Sequence, residues 1–142
     1  MGTRAKRFQY AVSIDADGGP CAEGGAPLAV PEEWTPEHLV LAALVRCTLK
    51  SLAYHAGRAG STSRGSGAAG GVVTRRDEDG RYALVEARCR LDVDLDPLPA
   101  SDALVGLLAK AERDCFVGAS LRAAPQYEWR VNGTVSGASS AS

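Results

Sequence analysis

Four cysteines, at positions 21, 47, 89 and 115, are the residues of this 142-residue chain most suited to chemistry. A thiol can act as a nucleophile, ligate a metal, form a disulfide or serve as a small apolar side chain. No two of the cysteines have the C-x2-C or C-x4-C spacing of a local zinc site, and the two histidines, His38 and His55, are far apart in the sequence. We therefore expect no metal and no other cofactor, which leaves reactive thiols or inert buried ones.

The clearest predicted element is a helix over residues 36–56, which would carry Cys47. Pro36 suits the first helical position, and Glu37 favours the positive end of the helix dipole. No Gly or Pro interrupts the segment before Gly57, and apolar residues occur on nearly every face. The pattern predicts a central, mostly buried helix.

A second helix would carry Cys115. Ser101 can cap it after Pro97 and Pro99, and apolar residues then recur at helical spacing through Leu104, Leu107, Leu108, Ala111 and Cys115. Cys47 and Cys115 could therefore meet where the two helices cross. Both could equally be inert core residues, because a buried thiol packs like a small hydrophobe.

A cysteine hydrolase with Cys47 as nucleophile and His55 as base is a disfavoured alternative. The two residues lie eight positions apart on the same predicted helix. That spacing corresponds to about 12 Å, too far for a nucleophile and its base unless His55 comes from another subunit.

The remaining elements are predicted strands. Alternating apolar residues predict a strand over residues 8–15 with one buried face, and residues 27–30 could return beside it after a turn at residues 17–20. The Gly- and Ser-rich segment 57–71 has no apolar period and is predicted to be a mobile surface loop. Val72 and Val73 open a strand that leads to a two-residue hairpin at Asp79-Gly80.

Two later segments alternate cleanly between apolar and polar residues. Residues 83–95 form one long strand that points Cys89 into the core, and residues 127–131 form a last strand. The order of elements predicts an α+β fold with antiparallel sheet and two helices.

Composition predicts one globular domain over residues 1–135 and a disordered tail of Ser, Ala and Gly over residues 136–142. The 16 basic and 17 acidic residues leave no excess charge to neutralise phosphates, so we expect no nucleic-acid partner. The longest unbroken apolar run, residues 39–45, is far shorter than the roughly 20 residues that cross a bilayer. We therefore expect no membrane partner and a cytoplasmic location.

Two motifs resemble those of the OsmC/Ohr family, the osmotically inducible and organic hydroperoxide resistance proteins. The segment TPEHLVLAALVRC, residues 35–47, is similar to the family pattern T-P-E-x-L-x-x-A-A-x-x-x-C. The segment CFVGASL, residues 115–121, resembles the second motif, usually C-P-x-S-x-x-L. The order of elements also agrees, so the resemblance covers nearly the whole chain up to Gly133.

The resemblance implies an intertwined homodimer with antiparallel sheets wrapped around two central helices. It also implies that Cys47 is the peroxidatic nucleophile, which reduces a small organic hydroperoxide to its alcohol and becomes a sulfenic acid. Cys115 would then form a disulfide with Cys47. A dithiol reductant, lipoyl-linked in the best understood members, would regenerate both thiols.

The sequence departs from the family pattern around the activating cation. Peroxidase members place an Arg in the loop after the first hairpin, held by the Glu of the T-P-E motif, which is Glu37 here. Residues 15–35 contain no Arg or Lys. Arg46 and Arg7 are candidate substitutes, as are Arg4 and Lys6.

Geometry limits the role of Glu37. Ten residues of helix, about 15 Å, separate it from Cys47, so a role at that thiol requires the partner subunit. Its place at a helix N-terminus would also explain a carboxylate without any function.

The second motif departs at Phe116, where a proline is usual, and the change could move Cys115. Cys21, in the Gly-rich turn, is the alternative resolving thiol. The alternative function is an OsmC-fold dimer without efficient peroxidase activity, which acts as a redox-sensitive or small-ligand-binding protein.

Overall fold

The computed structural model describes residues 5–16 and 19–136. They fall into two compact units, which divide after Pro36. The predicted disordered tail over residues 136–142 is wrong at Ser136, which ends a strand, and its residues 137–142 lie outside the described residues, as do residues 17 and 18 of the predicted turn. The single domain over residues 1–135 stays a prediction.

The first unit holds a short antiparallel pair, β1 (Val12–Ile14) and β2 (Pro20–Ala22). The predicted return strand over residues 27–30 is wrong, since Pro27 makes only an isolated bridge to Cys21. The predicted buried face is also wrong within this chain. Its apolar side chains are 64 to 81% exposed, because two three-residue strands cannot cover a face: Phe8, Tyr10, Val12 and Ile14.

The second unit begins with α1 (Pro36–Arg58), close to the predicted bounds. The prediction that α1 is mostly buried is wrong for this chain, because only one stripe of the helix is buried and residues such as Val40 and Tyr54 are exposed. The stripe recurs every four residues: Leu44, Thr48, Leu52 and Ala56. By length and composition alone α1 could cross a membrane, a property that core helices of soluble proteins share.

The predicted mobile loop is instead most of β3 (Thr62–Arg75), which pairs antiparallel with β4 (Tyr82–Asp96) along its whole length. A Cβ atom added at Gly67 would lie 2.9 Å from Val45 Cγ1 of α1, and one added at Gly65 would lie 3.1 Å from Leu49 Cδ2. The glycines therefore let α1 lie directly on the strand. Apolar periodicity could not detect this strand, because backbone rather than side chains makes the contact.

The β3–β4 connection takes six residues, 76–81, rather than the predicted two. Arg76 N–H bonds to the Arg81 carbonyl at 2.9 Å, and Gly80 has a φ of 69°. The turn is therefore wider than a two-residue hairpin but uses the predicted glycine at positive φ.

The sheet has the order β3-β4-β5-β6, with β5 at Gln126–Val131 and β6 at Thr134–Ser136. β4 and β5 have the predicted alternation, with Cys89 fully buried on β4 and Trp129 1% exposed on β5. Their pairing is parallel, so the wholly antiparallel expectation is wrong for this pair. The strand β6 was not predicted.

α2 (Ser101–Arg113) packs the predicted stripe of Leu107, Leu108 and Ala111 into the core. Ser101 does not cap it, because Ala100 occupies the cap position and Ser101 is already helical. The helix ends before Cys115, which instead caps a short helix, α3 (Phe116–Ser120). Cys115 thus lies at the junction of two helices.

Candidate active site: a buried thiol cluster

The structure brings Cys47 and Cys115 together. Cys47 is half-buried on α1, and Cys115 is fully buried at the start of α3. The two thiols face each other closely enough to interact through hydrogen bonding and charge. Both are free thiols in the structure, and a disulfide between them, which would join α1 to the α2–α3 junction, is the simplest covalent chemistry that this arrangement allows.

The first amides of α3 point at the two sulfur atoms. The N–H groups of Phe116 and Val117 face the Cys47 sulfur, and Gly118 N–H donates to Cys115 Sγ at 3.5 Å. Amides at the start of a helical turn carry partial positive charge, so they favour a thiolate over a thiol. The backbone here supplies part of the stabilisation that a cation would provide.

Burial outweighs this stabilisation at Cys47. Desolvation raises the pKa of the Cys47 thiol, and the neighbouring Cys115 adds to the increase, whereas the Val117 and Phe116 amides oppose it. Cys47 in a single chain is therefore mostly the neutral thiol near pH 7. A fast nucleophile would need an additional positive charge.

The predicted sources of that charge lie in different places. Arg46 is an exposed residue of α1 next to Cys47, and Arg7 is an exposed residue of the first unit. Glu37 is in the first turn of α1, about 15 Å along the helix from Cys47. The roles of these three residues stay predictions.

Three more side chains, one each from α1, β4 and β5, lie around Cys115. Thr48 Oγ1 donates to the Leu44 carbonyl at 2.8 Å and lies 3.3 Å from Cys115 Sγ. Cys89 faces Thr48 and Cys115, and burial raises the pKa of the Cys89 thiol to about 11. Tyr127 brings its hydroxyl to the same cluster from β5. We did not predict Thr48 or Tyr127, because ordinary core patterning accounts for both positions.

The two other candidate residues from the sequence, Cys21 and His55, have hydrogen-bond partners of their own. Cys21 lies in β2 of the first unit, where its Sγ donates to the Gly25 carbonyl at 3.0 Å. His55 Nε2 lies 2.7 Å from Asp114 Oδ2, on the same helix as Cys47 but two turns further along. The structure therefore gives no support to a Cys47-His55 hydrolase. The described residues contain no cluster of three or more His, Cys, Asp or Glu side chains suited to a metal.

Comparison with solved structures shows the fold. An OsmC-like protein of unknown function from Vibrio cholerae has a TM-score of 0.68 at 16% identity, over 88% of this chain and 99% of its own. An OsmC-like protein from Mycoplasma pneumoniae has a TM-score of 0.62 at 16% identity, covering 91% and 96%. The organic hydroperoxide resistance protein of Bacillus subtilis has a TM-score of 0.55 at 17% identity, covering 88% and 98%.

Comparison with sequences shows the family. No curated protein matches the chain significantly. The sequence profile of the OsmC-like proteins matches residues 29–130, which include α1 with Cys47, the long β3–β4 hairpin and the α2–α3 junction with Cys115. This match spans well over half of the chain and agrees with the mixed α+β fold and with the two motifs. The chain belongs to the OsmC-like protein family.

Proposed function

We propose that this protein is a thiol peroxidase that reduces organic hydroperoxides to alcohols. The observation that carries the proposal is the facing pair of Cys47 and Cys115 beneath the α3 amides. The Cys47 thiolate attacks the terminal oxygen of the O–O bond, the alcohol leaves, and Cys47 becomes a sulfenic acid. Cys115 then displaces hydroxide from that sulfur and forms the disulfide, which a dithiol reductant of the cytosol reopens.

The surroundings of Cys47 favour an organic substrate. The residues whose amides face the sulfur, Phe116 and Val117, both have apolar side chains, and Phe116 is 69% exposed. Val45 and Leu49, on the same helix as Cys47, are partly buried apolar residues that pack against the core. An alkyl group on the hydroperoxide gains burial against such side chains, whereas hydrogen peroxide gains none. The name of the Bacillus subtilis neighbour agrees with this class of substrate.

The first test follows thiol loss in the reduced protein after addition of tert-butyl hydroperoxide. We expect two thiols to be lost per hydroperoxide, at a rate well above that of free cysteine, and slower loss with hydrogen peroxide. Since the pKa of Cys47 is raised, its thiolate fraction grows as the pH increases, so the rate should rise from pH 7 to pH 9. Loss no faster than that of free cysteine throughout this range would contradict the proposal.

The raised pKa of Cys47 also supports a second candidate function. A protein that senses oxidants slowly, or that binds a small apolar ligand, needs the fold but tolerates a thiol that is not activated. Slow thiol loss together with formation of the same disulfide over minutes would favour this sensing role.

We further propose that the protein is a homodimer. The exposed apolar residues of the first unit, including Val12 and Ile14, form an alternating row that a second copy of the chain would cover. The partner could also supply the cation that Cys47 lacks.

Sedimentation velocity tests the dimer. We expect twice the mass of one chain for the natural protein and the mass of one chain for Ile14→Asp, because the carboxylate would lie in the apolar contact. Val135→Asp is the matched control, since Val135 is 60% exposed on β6. A monomer at all concentrations, or a dimer unaffected by Ile14→Asp, would show that this row is not the interface.

A further inference from the structure

The Tyr127 hydroxyl is a buried polar group that the chemistry proposed above does not use. Tyr127 is 7% exposed on β5, in register with Cys89 of β4. Its hydroxyl oxygen has no hydrogen-bond partner in the described structure. Buried hydroxyls almost always have a partner, so one without a partner calls for an explanation in terms of function.

The hydroxyl lies beside the Cys115 sulfur. A Cβ atom added at Gly118 would lie 2.5 Å from the Tyr127 oxygen and 3.7 Å from Cys115 Sγ. The oxygen and the sulfur therefore border the same small space, which stays open only because residue 118 has no side chain. Any larger residue there would push the tyrosine ring away from Cys115.

The two other hydrogen bonds that Cys115 Sγ can accept, from Gly118 and Thr48, are weak. Gly118 N–H donates to the sulfur at a long 3.5 Å. The single Thr48 hydroxyl proton is shared between Cys115 Sγ at 3.3 Å and the Leu44 carbonyl at 2.8 Å, so the shorter bond competes for it. The Tyr127 hydroxyl makes no hydrogen bond of standard geometry in the described structure, and the groups close enough to interact with it are Thr48, itself a donor, and Cys115.

The Tyr127 hydroxyl keeps its proton and can therefore donate it. Burial raises the pKa of its hydroxyl, so it stays protonated over the whole working range of the protein. The titratable groups that face this cluster are Cys47 from α1, Cys89 from β4 and the carboxyl of Glu112 from α2, which accepts from Trp129 Nε1 at 2.7 Å. None of them is a cation, so a thiolate at Cys115 depends on hydrogen-bond donors.

We propose that Tyr127 donates a hydrogen bond to the Cys115 sulfur when that sulfur attacks oxidised Cys47. The inference rests on the proposed peroxidase function. In that step Cys115 loses its proton, the S–S bond forms, the S–O bond of the Cys47 sulfenic acid breaks, and the departing hydroxide takes the proton to become water. Cys47 is reduced and Cys115 oxidised in equal measure, and Tyr127 keeps its own proton throughout.

A disulfide-exchange assay tests the proposal without any hydroperoxide. In a Cys21→Ser background, Cys47 reacts with 4,4′-dithiodipyridine to form a mixed disulfide and releases one thiopyridone. Cys115 then attacks the Cys47 sulfur of that mixed disulfide, forms the Cys47-Cys115 disulfide and releases the second thiopyridone. We expect Tyr127→Phe to leave the first phase within about twofold and to slow the second at least about tenfold at pH 7. The difference in second-phase rate between the natural protein and Tyr127→Phe should become smaller at alkaline pH, because the Cys115 thiolate then forms without the donor.

Two further variants make the result specific. Tyr82→Phe removes a hydroxyl from a tyrosine that is 70% exposed and should change neither phase. Gly118→Ala should slow the second phase as Tyr127→Phe does, because its methyl group displaces the hydroxyl. The double variant should be little slower than either single one, since both remove the same bond.

Equal second-phase rates in the natural protein and in Tyr127→Phe would overturn the proposal. A parallel loss of both phases in Tyr127→Phe would also overturn it, because it would indicate a structural role only. If the natural protein consumes no hydroperoxide but Tyr127→Phe still slows the second phase, the peroxidase proposal fails and the role of Tyr127 stands.

Discussion

Serine at position 47 should abolish hydroperoxide consumption, whereas serine at position 115 should stop the reaction at the sulfenic acid. The hydroxyl of serine is not ionised near neutral pH, so Cys47→Ser removes the nucleophile and should lower the rate by on the order of 10³-fold or more. Cys115→Ser keeps Cys47 and the Phe116 and Val117 amides that face it. The first oxidation should therefore proceed, and no disulfide should follow.

Mass spectrometry with dimedone, which traps sulfenic acids, separates the two outcomes. One equivalent of tert-butyl hydroperoxide should leave the natural protein with a Cys47-Cys115 disulfide and Cys115→Ser with a dimedone adduct at Cys47. Cys21→Ser is the matched control, because Cys21 is the other candidate resolving thiol from the sequence. A stalled sulfenic acid in Cys21→Ser, with a disulfide still formed in Cys115→Ser, would show that the resolving thiol is Cys21.

Elements that carry their own apolar period were predictable from the sequence. α1, β4, α2 and β5 each bury one stripe or face against the same core, and hydrophobic residues mark those positions directly. The parallel pairing of β4 and β5 could also have been predicted from the sequence. A helix between two neighbouring strands is a crossover connection, and such a connection joins parallel strands.

The first unit was harder to predict for a different reason. Its alternating apolar residues predicted a buried face, but the short β1–β2 pair leaves those side chains exposed. Hydrophobic alternation alone does not specify which element or which chain would cover such a face.

The site was predictable only in its two thiols. The motifs that contain Cys47 and Cys115 supplied that pair, which the structure brings together. Thr48 follows Cys47 directly and looks like a core threonine, and Tyr127 looks like an ordinary buried aromatic of a last strand. Their convergence on Cys115 depends on how α1, α3 and β5 pack, and no local spacing encodes that arrangement.

The glycines of β3 lead to the second large prediction, a loss of stability in Gly67→Ala. The added Cβ would lie 2.9 Å from the Arg90 carbonyl oxygen, which belongs to the backbone, and 2.9 Å from Val45 Cγ1. Neither strand β4 nor helix α1 can yield without disturbing the core between them. We expect Gly67→Ala to lower the free energy of unfolding by about 1–3 kcal/mol, as other overpacked cores do.

Gly70→Ala is the matched control, because it makes the same chemical change three residues away on the opposite face of the strand. A Cβ there would meet nothing within 4 Å, so the variant should be neutral or more stable by roughly 0.5 kcal/mol through a stiffer unfolded chain. Urea denaturation of the two variants gives the comparison. Equal stability changes would mean that α1 does not rest on β3.

Opposite changes would show that these glycines set the distance between α1 and the sheet. Because α1 also carries Cys47, Gly67→Ala should then slow disulfide formation as well.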